Sequence, residues 1–352
     1  MGQHRTPAAG RTTRPARLAT LVAATAVGST LAGTFVLLAA APAQAQRPRD
    51  YVALGDSYSS GESVTPYLPG SDTAINRCHR SLRAYPQQLA DSLHATTVDH
   101  GACSGAVTQD LYAPDHNGNR VTVDALEPAQ LSRVDRRTDV VTLTIGGNDV
   151  GFGSVLAACL YGDRQRATRT DCSTNAALTG AVAARIDALA GRGTATTPGG
   201  LPITPLRQII ADIRARSPHA QVVLGTYPQL VSSTFAGSEC RVGGLTVREA
   251  PTQTVPLYVS KADAAWFAAT VNRLDQVILD APRSVRGRPA RVADVRPAYG
   301  DHALCSSTTS WITPVKGTVS ATTGAVSIDG SSMHPTIDGQ TANARAFRSQ
   351  LR

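Results

Sequence analysis

Asp139-Val140-Val141-Thr142-Leu143-Thr144-Ile145, followed at once by Gly146-Gly147-Asn148-Asp149, is the stretch on which the fold turns. It is β-branched, uncharged after Asp139, and does not alternate between apolar and polar residues. Such a run reads as a strand buried on both faces. Tyr51–Gly55 (YVALG) has the same character, and Thr96–His100, Ala220–Gly225 and Arg291–Val295 supply further short strands. Helical spacing appears between them, at Ala84–His94, Ala176–Leu189, Leu206–Arg216, Leu257–Leu279 and Ile337–Leu351. Strands alternating with helices predict an α/β protein, a three-layer α/β/α arrangement around a mostly parallel central sheet. No internal repeat or linker divides residues 46–352, so they are expected to form a single domain. Two polar, Gly/Pro/Thr-rich segments, Ala113–Leu126 and Tyr161–Pro205, look inserted and read as long loops, with the Ala176–Leu189 helix inside the second.

Composition narrows the function. Of 352 residues, 42% are hydrophobic and 17% charged, which excludes a disordered or fibrous chain. The formal charge is +8, but Arg5, Arg11, Arg14 and Arg17 stand in an N-terminal stretch without acids; removing these four leaves +4. A charge so small and scattered does not point to nucleic acid. That stretch is basic to Arg17, apolar from Leu18 to Ala41, and ends in Ala43-Gln44-Ala45, the small-x-small form of a signal-peptidase site. Residues 1–45 are therefore read as a signal peptide cleaved near Ala45, and the mature protein as secreted. All six cysteines (Cys78, Cys103, Cys159, Cys172, Cys240 and Cys305) follow the cleavage site, as expected of disulfides in an exported protein. No C-x-x-C occurs, and neither a metal nor a cofactor is expected.

In open parallel sheets ligands bind at the carboxyl ends of strands. Three such ends carry unusual residues: Gly55-Asp56-Ser57-Tyr58-Ser59, Gly101-Ala102-Cys103-Ser104-Gly105, and Gly146-Gly147-Asn148-Asp149. A fourth group, Ser331-Ser332-Met333-His334-Pro335, precedes the last helix. Together they offer a hydroxyl, an imidazole, a carboxamide and unhindered backbone N–H groups, the components of acyl transfer through a serine nucleophile. Asp56 reads as a hydrogen-bonding support for its loop. His302 has no assigned role.

These four blocks, in this order, resemble the SGNH (GDSL-type) esterases and lipases over nearly the whole mature chain. Gly55-Asp56-Ser57, Gly105, Gly146-Gly147-Asn148-Asp149 and His334-Pro335 carry the likeness. Ala102–Ala106 and His302–Ser306 bring it nearer the secreted, disulfide-bonded actinobacterial lipases, esterases and phospholipases A1. The resemblance implies the flavodoxin-like SGNH fold, Ser57 as nucleophile and His334 as base. It implies an oxyanion hole of the Ser57 N–H, the Gly105 N–H and the Asn148 amide, and disulfides Cys78–Cys103, Cys159–Cys172 and Cys240–Cys305. Most members have an aspartate three residues before the histidine, where this chain has Ser331. The expected orienter of His334 is then the main-chain carbonyl of Ser331, with Asp329 as rival. The expected substrate is a lipid or other small-molecule ester, approached by a monomer in transient contact with lipid surfaces. A carbohydrate acetylesterase and an inactive secreted binding protein on the same fold are the alternatives.

Overall fold

The computed structural model describes residues 49–351 apart from 115–126, 166–167 and 286–288, and these belong to one compact unit. The signal-peptide reading and most of the first inserted loop lie outside the described residues.

Strands β1 (Arg49–Gly55), β2 (Ala95–His100), β3 (Val140–Thr144), β4 (Gln221–Gly225) and β7 (Arg291–Ala293) form one sheet in the order β2-β1-β3-β4-β7, and every neighbouring pair is parallel. All of β3 is buried, as its unbroken β-branched run predicts. Its two threonines are tolerated in the core because their hydroxyls are bonded: Thr142 Oγ1 to Tyr51 Oη at 2.7 Å and Thr144 Oγ1 to Ser59 Oγ at 2.7 Å.

Helices α1 (Ser57–Ser60) and α2 (Tyr85–Leu93) connect β1 to β2, while α3 (Gly147–Val150), α4 (Phe152–Cys159), α5 (Ala176–Leu189) and α6 (Leu206–Arg216) connect β3 to β4. Helix α7 (Lys261–Asp280) precedes β7; α8 (Arg296–Tyr299) and α9 (Ile337–Gln350) follow it. The chain leaves β1 in one direction and β3 in the other, so right-handed crossovers put α2 and α5–α7 on opposite faces. Helix α9 joins α2, with Phe347 stacked on Tyr85 at 4.3 Å. The three-layer α/β/α expectation is borne out.

A second sheet was not foreseen. Strands β5 (Glu239–Val247), β6 (Ala250–Ser260), β8 (Val315–Val319) and β9 (Val326–Ile328) pair in the order β6-β5-β8-β9, from two antiparallel hairpins joined by a parallel β5–β8 contact. Gly243 and Gly244 interrupt β5 and hide it from a propensity reading. The first is demanded by packing, since a Cβ on Gly243 would stand 1.9 Å from the Val315 carbonyl oxygen. This sheet also corrects the reading of Leu257–Leu279 as one helix. Leu257 and Val259 are buried on β6, and the helix starts only at Lys261, where the Ser260 hydroxyl accepts the Asp263 N–H at 3.1 Å.

Candidate active site

Strand β1 ends at Gly55, whose φ of +122° and distance from Thr144 admit no side chain: a Cβ there would lie 2.2 Å from the Thr144 carbonyl oxygen. The chain turns at once into α1. Asp56 caps this turn, its Oδ1 accepting the Tyr58 N–H at 3.0 Å and the Thr144 hydroxyl at 2.8 Å, while Oδ2 accepts from the Tyr227 hydroxyl. Burial pushes the Asp56 carboxyl up to about 6, against the opposing pull of those hydrogen bonds. The cap leaves Ser57 as the first residue of α1.

His334 arrives from the loop between β9 and α9. Its main chain is pinned by Thr313, whose N–H donates to the His334 carbonyl at 2.8 Å, and by Tyr58, whose hydroxyl donates to the neighbouring Met333 carbonyl at 2.9 Å. The imidazole Nε2 stands 2.7 Å from Ser57 Oγ across 277 positions of sequence. In the tautomer with its proton on Nδ1, Nε2 accepts the serine hydroxyl proton. Burial lowers the imidazole pKa below its ordinary value; the Glu62 carboxylate and the carbonyls of Ser332, Gly330 and Ser331 pull the other way. Nδ1 is buried and makes no hydrogen bond, and the Ser331 carbonyl accepts the main-chain N–H of His334 at 3.3 Å.

Asp329 is engaged elsewhere. Its Oδ1 accepts the Ser331 N–H at 2.8 Å and also the Ser331 hydroxyl. An exposed carboxylate turned to its own loop contributes little to a buried imidazole. Asp329→Ala is therefore expected to keep kcat/KM within about threefold of the parent for a chromogenic ester; collapse of activity in a folded variant would make Asp329 the orienter.

Asn148 lies on α3, just past β3. Its Nδ2 donates to the Ala106 carbonyl at 2.9 Å, beside Gly105, which has φ of +82°. Asp149, the next residue, is buried and accepts the Thr108 N–H and, at 2.6 Å, the Thr108 hydroxyl; burial pushes its carboxyl up to about 7. The loop bearing Gly105 is tied to the segment after Ser57 by Cys78–Cys103, and Cys159–Cys172 and Cys240–Cys305 are also bonded. The pairing that the resemblance implied is thus present.

Ser57, Asn148 and His334 open on one cleft of about 1080 Å³. Its walls are apolar: Phe152 and Leu156 from α4, Phe267 from α7, and Leu245, Val255 and Leu257 from the second sheet. Among the described residues no group of three or more His, Cys, Asp or Glu side chains is arranged to hold a metal ion.

The GDSL-like lipase/acylhydrolase family model matches residues 53–342, a span that contains the whole constellation. The chain belongs to that family. This GDSL-like hydrolase is a serine ester hydrolase by membership. It is 30% identical to a lipase of Streptomyces rimosus over 293 residues, covering 83% of this chain and 82% of that one. A crystal structure of an extracellular lipase from Streptomyces rimosus superposes with a TM-score of 0.58 at 28% identity, covering 86% of this chain and 99% of that one. A phospholipase A1 from Streptomyces albidoflavus NA297 gives a TM-score of 0.59 at 26% identity, with the same coverage.

One residue central to the GDSL-like site escaped the sequence reading. Tyr227, after β4, donates to Asp56 and accepts the Gly147 N–H at 3.0 Å, so a single hydroxyl joins the serine and asparagine blocks. Its only sequence signal is an aromatic residue just past a strand end. His302 stacks on Trp311 at 3.7 Å and takes no part in the cleft.

Proposed function

We propose that this hydrolase is a secreted enzyme that cleaves lipid esters through an acyl-enzyme on Ser57. The observation that carries this reading is the 2.7 Å approach of His334 Nε2 to Ser57 Oγ at the floor of an apolar cleft. His334 takes the Ser57 proton as Oγ attacks the ester carbonyl carbon, and the carbonyl π pair becomes an oxyanion. The N–H groups of Ser57 and Gly105 and the Asn148 amide receive it. One N–H of Asn148 is held by Ala106, which aims the second at the ligand. The tetrahedral species collapses, and the leaving alkoxide takes the proton from His334 and departs as an alcohol. Water, deprotonated by His334, then releases the acid and restores Ser57. In place of a triad aspartate, the Ser331 main-chain carbonyl, one of three at residues 330–332 that raise the imidazole pKa, is the expected orienter once Nδ1 carries the proton.

The apolar walls favour a long acyl chain over an acetyl group, since each buried methylene is worth ~0.8 kcal/mol. Secretion follows from the N-terminal leader and agrees with the extracellular character of the Streptomyces rimosus lipase. The test is hydrolysis of p-nitrophenyl esters from acetate to dodecanoate. At least about a tenfold rise in kcat/KM between acetate and octanoate is expected. A preference for acetate would favour a carbohydrate-type acetylesterase, and no turnover by folded protein a binding module.

A further inference from the structure

Glu62 lies five residues after Ser57, and its own N–H donates to the Ser57 carbonyl at 3.1 Å. Its side chain is almost fully buried, which an isolated carboxylate would not tolerate. His79 Nδ1 stands 2.6 Å from Glu62 Oε2, and His79 Nε2 stands 3.4 Å from Asp72 Oδ1. His79 is fixed from three sides: it follows Cys78, which is bonded to Cys103; it stacks on Tyr67 at 4.8 Å; and it holds a left-handed φ of +48°. The other carboxylate oxygen faces the loop that carries the base, since a Cβ on Gly330 would stand 3.4 Å from Glu62 Oε1. Gly330 begins the three residues whose carbonyls raise the His334 imidazole pKa.

We infer that Glu62 is a positioning residue for His334, supplying the full negative charge that the chain lacks at Ser331. This rests on the reading of Ser57 and His334 as nucleophile and base. Carbonyls orient an imidazole but carry no net charge to offset the imidazolium formed during attack. A buried carboxylate beside the same loop does carry one, and low local polarity strengthens its effect. Burial alone would raise the Glu62 pKa. The His79 hydrogen bond, the His334 charge and the Ser104 hydrogen bond hold it below the ordinary carboxylate value, which favours the anion. His79 is raised in turn, first by its Glu62 hydrogen bond, with burial opposing and Asp72 adding; Arg77 opposes. Among the described residues, the remaining charges facing this group are Asp329, which senses His79, and Lys316, which acts on Asp329; the Tyr67 hydroxyl is pushed up to about 12 by its own burial and by Glu62.

Two substitutions of opposite sign test the assignment. Glu62→Gln removes the anion, so the imidazole binds its proton less tightly and the acid limb of kcat/KM moves to lower pH. The imidazolium is also less stabilised during attack. The expected loss in kcat is between about 3-fold and 30-fold, below the ~10²–10³ for a direct oxyanion donor, with KM little changed. Glu62→Asp restores most of the rate. His79→Gln keeps a hydrogen-bond donor but removes the positive charge that competes for Glu62, so the acid limb moves to higher pH. Imidazole titration of His334, followed by NMR in the Ser57→Ala background, reads the same shifts without turnover and so stays informative if ester hydrolysis itself is absent. Superimposable titrations, or shifts of the same sign in Glu62→Gln and His79→Gln, would overturn the assignment; His79→Gln alone decides it if Glu62→Gln does not fold.

Discussion

Ser57→Ala is expected to lower kcat for a chromogenic ester by about 10⁴-fold or more and to abolish covalent labelling by a fluorophosphonate. The hydroxyl is 2.7 Å from the only group positioned to deprotonate it among the described residues, so no neighbouring side chain replaces it. The fold should survive. Ser57 opens a four-residue helix whose cap is Asp56, and the Asp56 bonds to Tyr58, Thr144 and Tyr227 do not use the serine side chain. Near-UV circular dichroism checks that. His334→Gln should cost a comparable amount, and the double variant little more than either single one, because nucleophile and base act in one step. Additive losses would mean that the two side chains serve separate roles. A Ser57→Ala protein retaining more than about a tenth of the parent rate would rule out the serine route.

Asn148→Ala is expected to lower kcat by about 10²–10³ with KM nearly unchanged. The split matters. An oxyanion donor bonds strongly only once charge has formed, so its removal raises the barrier and not the ground-state affinity. The truncation also strips the Ala106 carbonyl of its 2.9 Å partner, and leaving such a carbonyl unpaired costs about 1–3 kcal/mol. A modest fall in melting temperature should therefore accompany the kinetic loss. Asn148→Asp keeps the shape but can donate neither to the Ala106 carbonyl nor to the oxyanion, and its negative charge should make it at least as slow as alanine. A rise in KM at unchanged kcat would assign Asn148 to substrate binding instead.

Both predictions concern residues that were legible before any coordinates. Ser57 and Asn148 follow strands whose apolar runs are local properties of five to seven residues, and a strand end in a parallel sheet is where a ligand belongs. His334 stood out as the imidazole of the fourth block, but its role as base came with the four-block resemblance, because a lone histidine in a serine-rich loop carries no local signal. Asp329 shows the limit of spacing: it stands near His334 in sequence, yet its carboxylate is spent on Ser331.

The sequence by itself determined the parallel α/β core, the order of the four blocks and the supply of cysteines, because these depend on patterns within short windows. Only the tertiary structure decided how distant groups share one site. Tyr227 binds Asp56 across 171 positions, the glycine-broken strands β5 and β8 build a wall of the cleft, and Glu62 comes to rest beside the loop that carries His334. Such contacts depend on which faces are buried together, and burial also shifts the pKa of Asp56, Asp149 and His334, a quantity no window of sequence contains.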